Sequence, residues 1–252
     1  MTNYSIAEEY TLPSLGKVYT QKIDPVVKLR SMTTEEEMKR LAPSDRQYKN
    51  LCEIIDDCIV NEVGISSYDM CVADYQFLLH KLRIVTYGPE YKTSSVCPYC
   101  GAISESTLNL DELDVKECSL NELTSLMDIE LPKSGNKIHL TLQTPRMIDD
   151  INLRNKELKK KSKNRSFDET LLLTLSSIIT TIDGKHLDPI KKEDFIRNLP
   201  MMDTNYIMKH AQKLVESFGI DSSIVSVCSM CGLDYNSSFR FSSEFFGPSV
   251  DI

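Results

Sequence analysis

The sequence predicts an α+β fold, mainly helical, made by tandem duplication of a strand–helices–knuckle unit and joined by a four-cysteine zinc site. Three observations predict it. Cys97-Pro98-Tyr99-Cys100-Gly101 and Cys228-Ser229-Met230-Cys231-Gly232 are two C-x-x-C-G motifs. Capped stretches with helical apolar spacing precede each of them. Finally, a Leu-Pro turn, a short strand, capped helices and a knuckle occur twice in the same order. The units divide as 1–125 and 126–252, packed as one zinc-clasped body.

The first unit opens on Leu12-Pro13-Ser14-Leu15-Gly16-Lys17, a turn-rich stretch, and Val26-Val27-Lys28-Leu29-Arg30 reads as a short strand. Thr34-Glu35-Glu36-Glu37 reads as a capping box, with the Thr34 hydroxyl on the first turn and Glu37 reaching back. The acidic triplet suits a positive helix N-terminus better than it suits a metal. Ser44, after Pro43, caps a second helix with Gln47 at its third position. Leu51, Ile54, Ile55, Cys58 and Ile59 make the apolar face of that helix, and Gly64 ends the segment. A third helix over 69–85 turns Met70, Ala73, Phe77, Leu78 and Ile84 inward, and Gly88-Pro89 closes it. Beyond the first knuckle, 107–110 alternates like a strand.

The plan then restarts. Leu131-Pro132-Lys133-Ser134-Gly135 echoes the opening turn, and 137–143 alternates as a strand. Thr144-Pro145 places an N-cap before a proline at the first helical position, where proline is best tolerated. Ser166 and Glu169 have capping-box spacing and open an apolar helix over 167–182 that Asp183-Gly184 ends. Asp203 caps a further helix, with Ile207, Leu214 and Val215 inward and Gly219 past its C-terminus. The correspondence continues past the cysteines. Eight and ten residues beyond Cys100 stand Leu108 and Leu110, and the same steps from Cys231 reach Phe239 and Phe241.

The knuckles carry the chemistry. Two residues between cysteines let the backbone curl until both sulfurs face one ion, and the trailing glycine supplies the positive φ at the exit. A single C-x-x-C also suits a redox pair, but no βαβ unit surrounds either one. Two together predict one structural Zn²⁺ per chain, held by Cys97, Cys100, Cys228 and Cys231. Two disulfides or spaced free thiols are the competing readings. Cys52, Cys58 and Cys71 lie on helical segments and read as small buried apolar residues. Cys118 stands alone, and a reserve ligand role is its weaker reading. Closing the loop between the knuckles costs roughly 4 kcal/mol, and structural zinc binding supplies on the order of 10–16 kcal/mol. A metal can therefore clasp the middle of the chain to its end.

Composition narrows the function. The 252 residues are 41% hydrophobic and 26% charged, as in soluble globular proteins, and the net charge of −8 opposes general nucleic-acid binding. The start of the chain is polar and lacks the apolar core of a signal peptide. The apolar run 171–179 is too short and too interrupted to cross a bilayer. Thiolate-bound zinc with unpaired cysteines implies a reducing cytosol. The basic run 156–165 reads as a solvated helix end, with contact to nucleic acid or to an acidic partner as the rival. No G-x-S-x-G, Walker A, G-x-G-x-x-G or H-E-x-x-H motif occurs. His80, His139, His186 and His210 are scattered and read as structural. Four thiolates close a zinc shell, whereas a zinc hydrolase needs an open position.

On several stretches the chain resembles the baseplate-hub protein family of T-even contractile-tailed bacteriophages. They are Leu12-Pro13-Ser14-Leu15-Gly16 and the run from Val27-Lys28-Leu29-Arg30-Ser31-Met32 through Thr33-Thr34-Glu35-Glu36-Glu37. Glu130-Leu131-Pro132 through Gly135 and Ile178-Ile179-Thr180-Thr181-Ile182-Asp183-Gly184 follow. Phe195-Ile196-x-x-Leu199-Pro200 and Glu244-Phe245-Phe246-x-Pro248 complete the set. The resemblance implies a late, non-enzymatic hub component or hub assembly factor whose partners are other phage baseplate hub and tail proteins. It implies presence in the host cytoplasm during assembly, with retention in the virion tail left open. Phe239, Phe241, Phe245 and Phe246 are the candidate docking surface, because aromatics dominate interface hot spots; a strand buried in the protein's own core is the competing reading. From another class, a zinc-ribbon nucleic-acid-binding accessory protein is the alternative.

Overall fold

Strand β1 (Glu8–Thr11) runs into the Leu-Pro turn and returns as β2 (Val26–Leu29), antiparallel, with Glu8 opposite Leu29. The structure is a computed structural model and describes residues 7–161, 168–238 and 243–246. Helices α1 (Thr34–Leu41), α2 (Gln47–Cys58) and α3 (Val72–Tyr87) follow, then a hairpin of β3 (Glu90–Val96) and β4 (Ile103–Asn109). A 3₁₀ turn (Leu110–Glu112), β5 (Val115–Lys116) and α4 (Leu120–Met127) lead into the second half. There β6 (Asp128–Glu130), β7 (Lys137–Leu140) and β8 (Ile179–Ile182) form a three-stranded antiparallel sheet. Helices α5 (Pro145–Lys161) and α6 (Thr170–Ile178) lie between β7 and β8 in the chain, and α7 (Pro189–Arg197) and α8 (Met201–Glu216) come after. Strand β9 (Gly219–Ile220) pairs with β5, and β10 (Ser223–Val227) and β11 (Asp234–Ser238) make the last hairpin, before a 3₁₀ turn (Ser243–Phe246). The result is a mixed α/β chain of helices and small sheets.

The two halves repeat their hydrogen bonds as well as their motifs. The Leu12 amide donates to the Pro25 carbonyl across the first turn, and the Leu131 amide donates to the Asn136 carbonyl across the second. Gly16 (φ 70°) and Gly135 (φ 74°) occupy the left-handed exits. After β2, the Arg30 amide donates to the Cys58 carbonyl and Leu29 bridges Ile59. After β7, the Thr141 amide donates to the Ile178 carbonyl and Leu140 pairs with Ile179. In both halves, then, the strand that follows the turn meets the residue at the end of the second helix. A buried aspartate completes the likeness. Asp74, in the first turn of α3, accepts from the Ser14 amide at 3.0 Å, and Asp203, in the first turn of α8, accepts from the Lys133 and Ser134 amides at 2.8 and 3.0 Å.

Apolar burial falls into two large clusters. One gathers Leu12, Val27, Leu29, Ile55, Leu78 and Leu82, and the other Leu131, Ile138, Leu140, Leu175, Ile178 and Ile207. The halves also reach into each other. Asp149 of α5 accepts from the Tyr48 and Lys49 amides at the start of α2 and from the Tyr68 hydroxyl. Phe245 and Phe246 sit in the first cluster, far in sequence from the rest of it.

Several local features depart from expectation. The capping box on α1 belongs to Thr33 and Glu36, one residue earlier than the reading from Thr34. Ser44 bonds to the backbone of Arg46, and the first amides of α2 are capped from outside by Asp149. Asp203 lies inside α8, which starts after Pro200, so it binds the Leu-Pro turn and does not cap. The helix expected over 167–182 stops at Ile178. Its last four residues, Ile179-Thr180-Thr181-Ile182, are β8, as a β-branched run prefers. The capping role read for Ser166 lies outside the described residues.

Candidate metal centre

Each knuckle is the tip of a hairpin. The Cys97 amide donates to the Ala102 carbonyl at 2.9 Å and the Gly101 amide to the Cys97 carbonyl at 2.9 Å. The Cys228 amide donates to the Leu233 carbonyl at 3.0 Å and the Gly232 amide to the Cys228 carbonyl at 2.9 Å, the same two bonds again. Gly101 (φ 73°) and Gly232 (φ 70°) take the positive φ that a side chain would resist.

The hairpins meet at these tips. The Tyr235 hydroxyl lies 2.7 Å from Ser95 Oγ, and Ser104 faces Ser229 at 3.5 Å. Cys97 and Cys228 are buried, and Cys100 and Cys231 are exposed. Cys97 Sγ stands 3.7 Å from Cys231 Sγ, Cys100 Sγ stands 3.5 Å from Cys228 Sγ, and all four sulfurs lie within 4.8 Å of one another. Those separations decide between chemistries. A disulfide needs about 2.05 Å, whereas four sulfurs about 2.3 Å from a central zinc are spaced about 3.8 Å apart. The Cys231 and Met230 amides pull the Cys228 thiol down, while the Cys228 sulfur beside it pushes the Cys100 thiol up, the split expected of sulfurs crowded together without a cation. The donor set fits a tetrahedral, closed metal shell. Among the described residues, no other group of His, Cys, Asp and Glu could hold a metal. Cys118 is not in the group. Burial pushes up the Cys52, Cys58, Cys71 and Cys118 thiols, Cys58 to about 12, as expected of inert core cysteines.

A model of the T4 bacteriophage base plate protein family matches residues 3–247, a span that takes in both knuckles and both cores. The chain belongs to that family. No curated protein and no solved structure matches it.

In this base plate family chain Phe245 and Phe246 turn inward. Phe245 and Phe246 are 0% and 1% exposed, packed against each other and, for Phe245, against Tyr91 at 5.2 Å. They lie inside the first core, in a 3₁₀ turn and not a strand, which favours the reading of core residues. Phe239 and Phe241 lie outside the described residues. His139 bonds to Asp128 at 2.6 Å, His186 and His210 bond to backbone carbonyls, and His80 is buried. Of the basic run, Lys156 pairs with Asp45 and Lys159 with Asp168. No helix among the described residues is long and apolar enough to cross a membrane. Nothing in the local pattern of the sequence points to Arg83. It is fully buried, and its guanidinium donates to the carbonyls of Phe245, Gly88 and Glu90 and lies against the Tyr87 ring.

Proposed function

We propose that this base plate family protein is a non-enzymatic component or assembly factor of the tail baseplate hub. It works by contact with other hub and tail proteins and is held rigid by one structural zinc on Cys97, Cys100, Cys228 and Cys231. The observation that carries the reading is the family match over residues 3–247. The four-thiolate centre adds a shell with no open position for substrate. In this reading the units 1–125 and 126–252 are duplicated halves, each lending one knuckle, and the repeated turn, strand and buried-aspartate bonds support it. The protein is made in the host cytoplasm and joins the tail from there. Of the basic run, Lys156 and Lys159 are paired with carboxylates, which weighs against the nucleic-acid alternative.

The test is affinity purification of the tagged protein from infected cells, with mass spectrometry of what co-purifies. Hub and tail proteins in stoichiometric amounts are expected. Recovery of nucleic acid and replication or transcription proteins in their place overturns the reading.

A further inference from the structure

Each hairpin lends the metal centre one sheltered and one open sulfur. Cys97 and Cys228 are buried, and Cys100 and Cys231 are exposed. The short contacts between them are crossed. Exposed Cys100 has its sulfur 3.5 Å from that of buried Cys228 in the other hairpin, and exposed Cys231 has its sulfur 3.7 Å from that of buried Cys97. Each of the two exposed sulfurs thus touches a buried one from the opposite hairpin. Cys52, Cys58, Cys71 and Cys118 are buried and stand outside the group.

Two kinds of bond are open to four such sulfurs. A bond within a knuckle falls inside the turn that the Gly101-to-Cys97 and Cys97-to-Ala102 backbone bonds hold, or inside its counterpart at Cys228 and Gly232. A crossed bond leaves both turns as they are, because it draws one hairpin toward the other. The sulfurs then have to close from 3.5 or 3.7 Å to about 2.05 Å. Polar contacts join the hairpins beside them: Ser95 meets the Tyr235 hydroxyl at 2.7 Å, and Ser104 meets Ser229 at 3.5 Å. Those contacts keep the two tips in register, each exposed sulfur opposite its buried partner.

Oxidation selects a cysteine that is exposed and has a second thiol beside it. With hydrogen peroxide as the oxidant, the Cys100 sulfur attacks one peroxide oxygen and the O–O bond breaks, giving a sulfenic acid and one water. The Cys228 sulfur then attacks the Cys100 sulfur. An S–S bond forms, the S–OH bond breaks, and the hydroxyl leaves with the thiol proton as a second water. Each pair loses two electrons and two protons, and one peroxide is reduced to two waters. Cys231 and Cys97 follow the same course. Thiolate is the form that binds a metal, and a disulfide sulfur is no longer one, so the crossed pairs and the ion exclude each other.

We propose that the centre is redox-switched: under peroxide its four sulfurs become the crossed disulfides Cys97–Cys231 and Cys100–Cys228, and these covalent bonds replace the metal as the clasp. The tie between the two hairpins then persists in surroundings where a reducing cytosol no longer protects the thiols. This rests on the four-sulfur centre of the proposed function and adds its regulation.

The test measures the zinc content of the purified full chain, then adds about two equivalents of hydrogen peroxide. Remaining thiols are blocked, and the chain is digested with trypsin without reductant. Cleavage after lysine and arginine puts Cys97 and Cys100 on the peptide 93–116 and Cys228 and Cys231 on the peptide 214–240. The expected product is one species containing both peptides, lighter than their sum by the hydrogens of two disulfides, with zinc released in step with its formation. Fragmentation should place the bonds at Cys97–Cys231 and Cys100–Cys228, and Cys100→Ser should leave Cys97–Cys231 alone. Peptides that stay apart, each carrying a bond within its own knuckle, overturn the proposal. So do sulfurs that end as unlinked sulfinic acids, or a Cys228–Cys231 bond in Cys100→Ser. Linked peptides from a chain without zinc would sink the metal reading and leave the crossed pairs standing. A zinc-loaded chain whose peptides stay apart does the reverse.

Discussion

A carboxylate buried in a protein has to be met by donors, and Asp74 collects them from two residues. The Ser14 amide, the Ser14 hydroxyl and the Tyr19 hydroxyl all donate to it. Asp203 does the same with two amides of the second Leu-Pro turn. From the sequence alone an acid in the first turn of a helix reads as a cap. The donors that give it another task come from distant stretches of the chain, which no local pattern can reveal. His80 is a similar case with the opposite charge. It is fully buried, and burial, with Lys81 beside it, pulls its pKa down to about 4 from an ordinary value near 6.5. A folded-state pKa below the unfolded one means that the unfolded chain binds the proton first. Stability contributed by neutral His80 is therefore intact above about pH 6.5 and drains away as the pH falls toward 4. Over that window the loss should approach about 3 kcal/mol. His80→Leu should show a shallower acid limb than the parent when urea midpoints are compared from pH 7 to pH 4. Parallel limbs would mean that His80 titrates normally.

At the level of elements, the parts that can be read locally are the ones with local causes. The strand at Val26–Leu29, the helix start at Thr144-Pro145 and both knuckles follow from spacing and turn chemistry. Strand β8 hides inside an apolar run because periodicity cannot separate a short buried strand from a helix end. Its β-branched residues are the signal. The C-terminal 3₁₀ turn is obscured for a different reason. Aromatic residues suit an interface and a core equally, and Arg83, the residue that decides, lies on α3. Arg83 binds the Phe245 carbonyl at 3.1 Å while the Phe245 ring fills the first core. The turn is thus a plug that returns the chain's end to its first half. Phe245→Ala empties a buried aromatic position and should cost about 3–5 kcal/mol. It also removes the ring beside Tyr91 without touching the knuckles, so metal content should not change. A urea midpoint that moves by less than about 1 kcal/mol equivalent would show that the turn is not docked there.

For the whole molecule, the question is what ties residues 1–125 to residues 126–252. Strand β5 pairs with β9 across the boundary, the α5 aspartate caps α2, and the Phe245–Phe246 plug enters the first core. Those are packing and hydrogen-bond links of ordinary strength. The sulfur cluster differs because the proposed metal would tie Cys97 and Cys100 to Cys228 and Cys231, more than a hundred residues further along. Losing the metal forfeits on the order of 10–16 kcal/mol of binding free energy against roughly 4 kcal/mol spent on closing the loop, a net loss comparable with the roughly 5–15 kcal/mol by which a folded protein is typically stable. At about 2–4 °C per kcal/mol for a chain of this size, the melting temperature should fall by more than about 10 °C. Cys100→Ser, Cys231→Ser and chelation of the native protein should all give a drop of that order. Because the clasp is shared, hydrogen exchange should quicken in both hairpins, β3–β4 and β10–β11, whichever knuckle carries the substitution. Metal analysis of the parent should return one zinc per chain with four sulfur neighbours. Two zincs, or none, would mean that the knuckles do not share an ion. An unchanged melting temperature in either serine variant would assign the rigidity to the packing links alone.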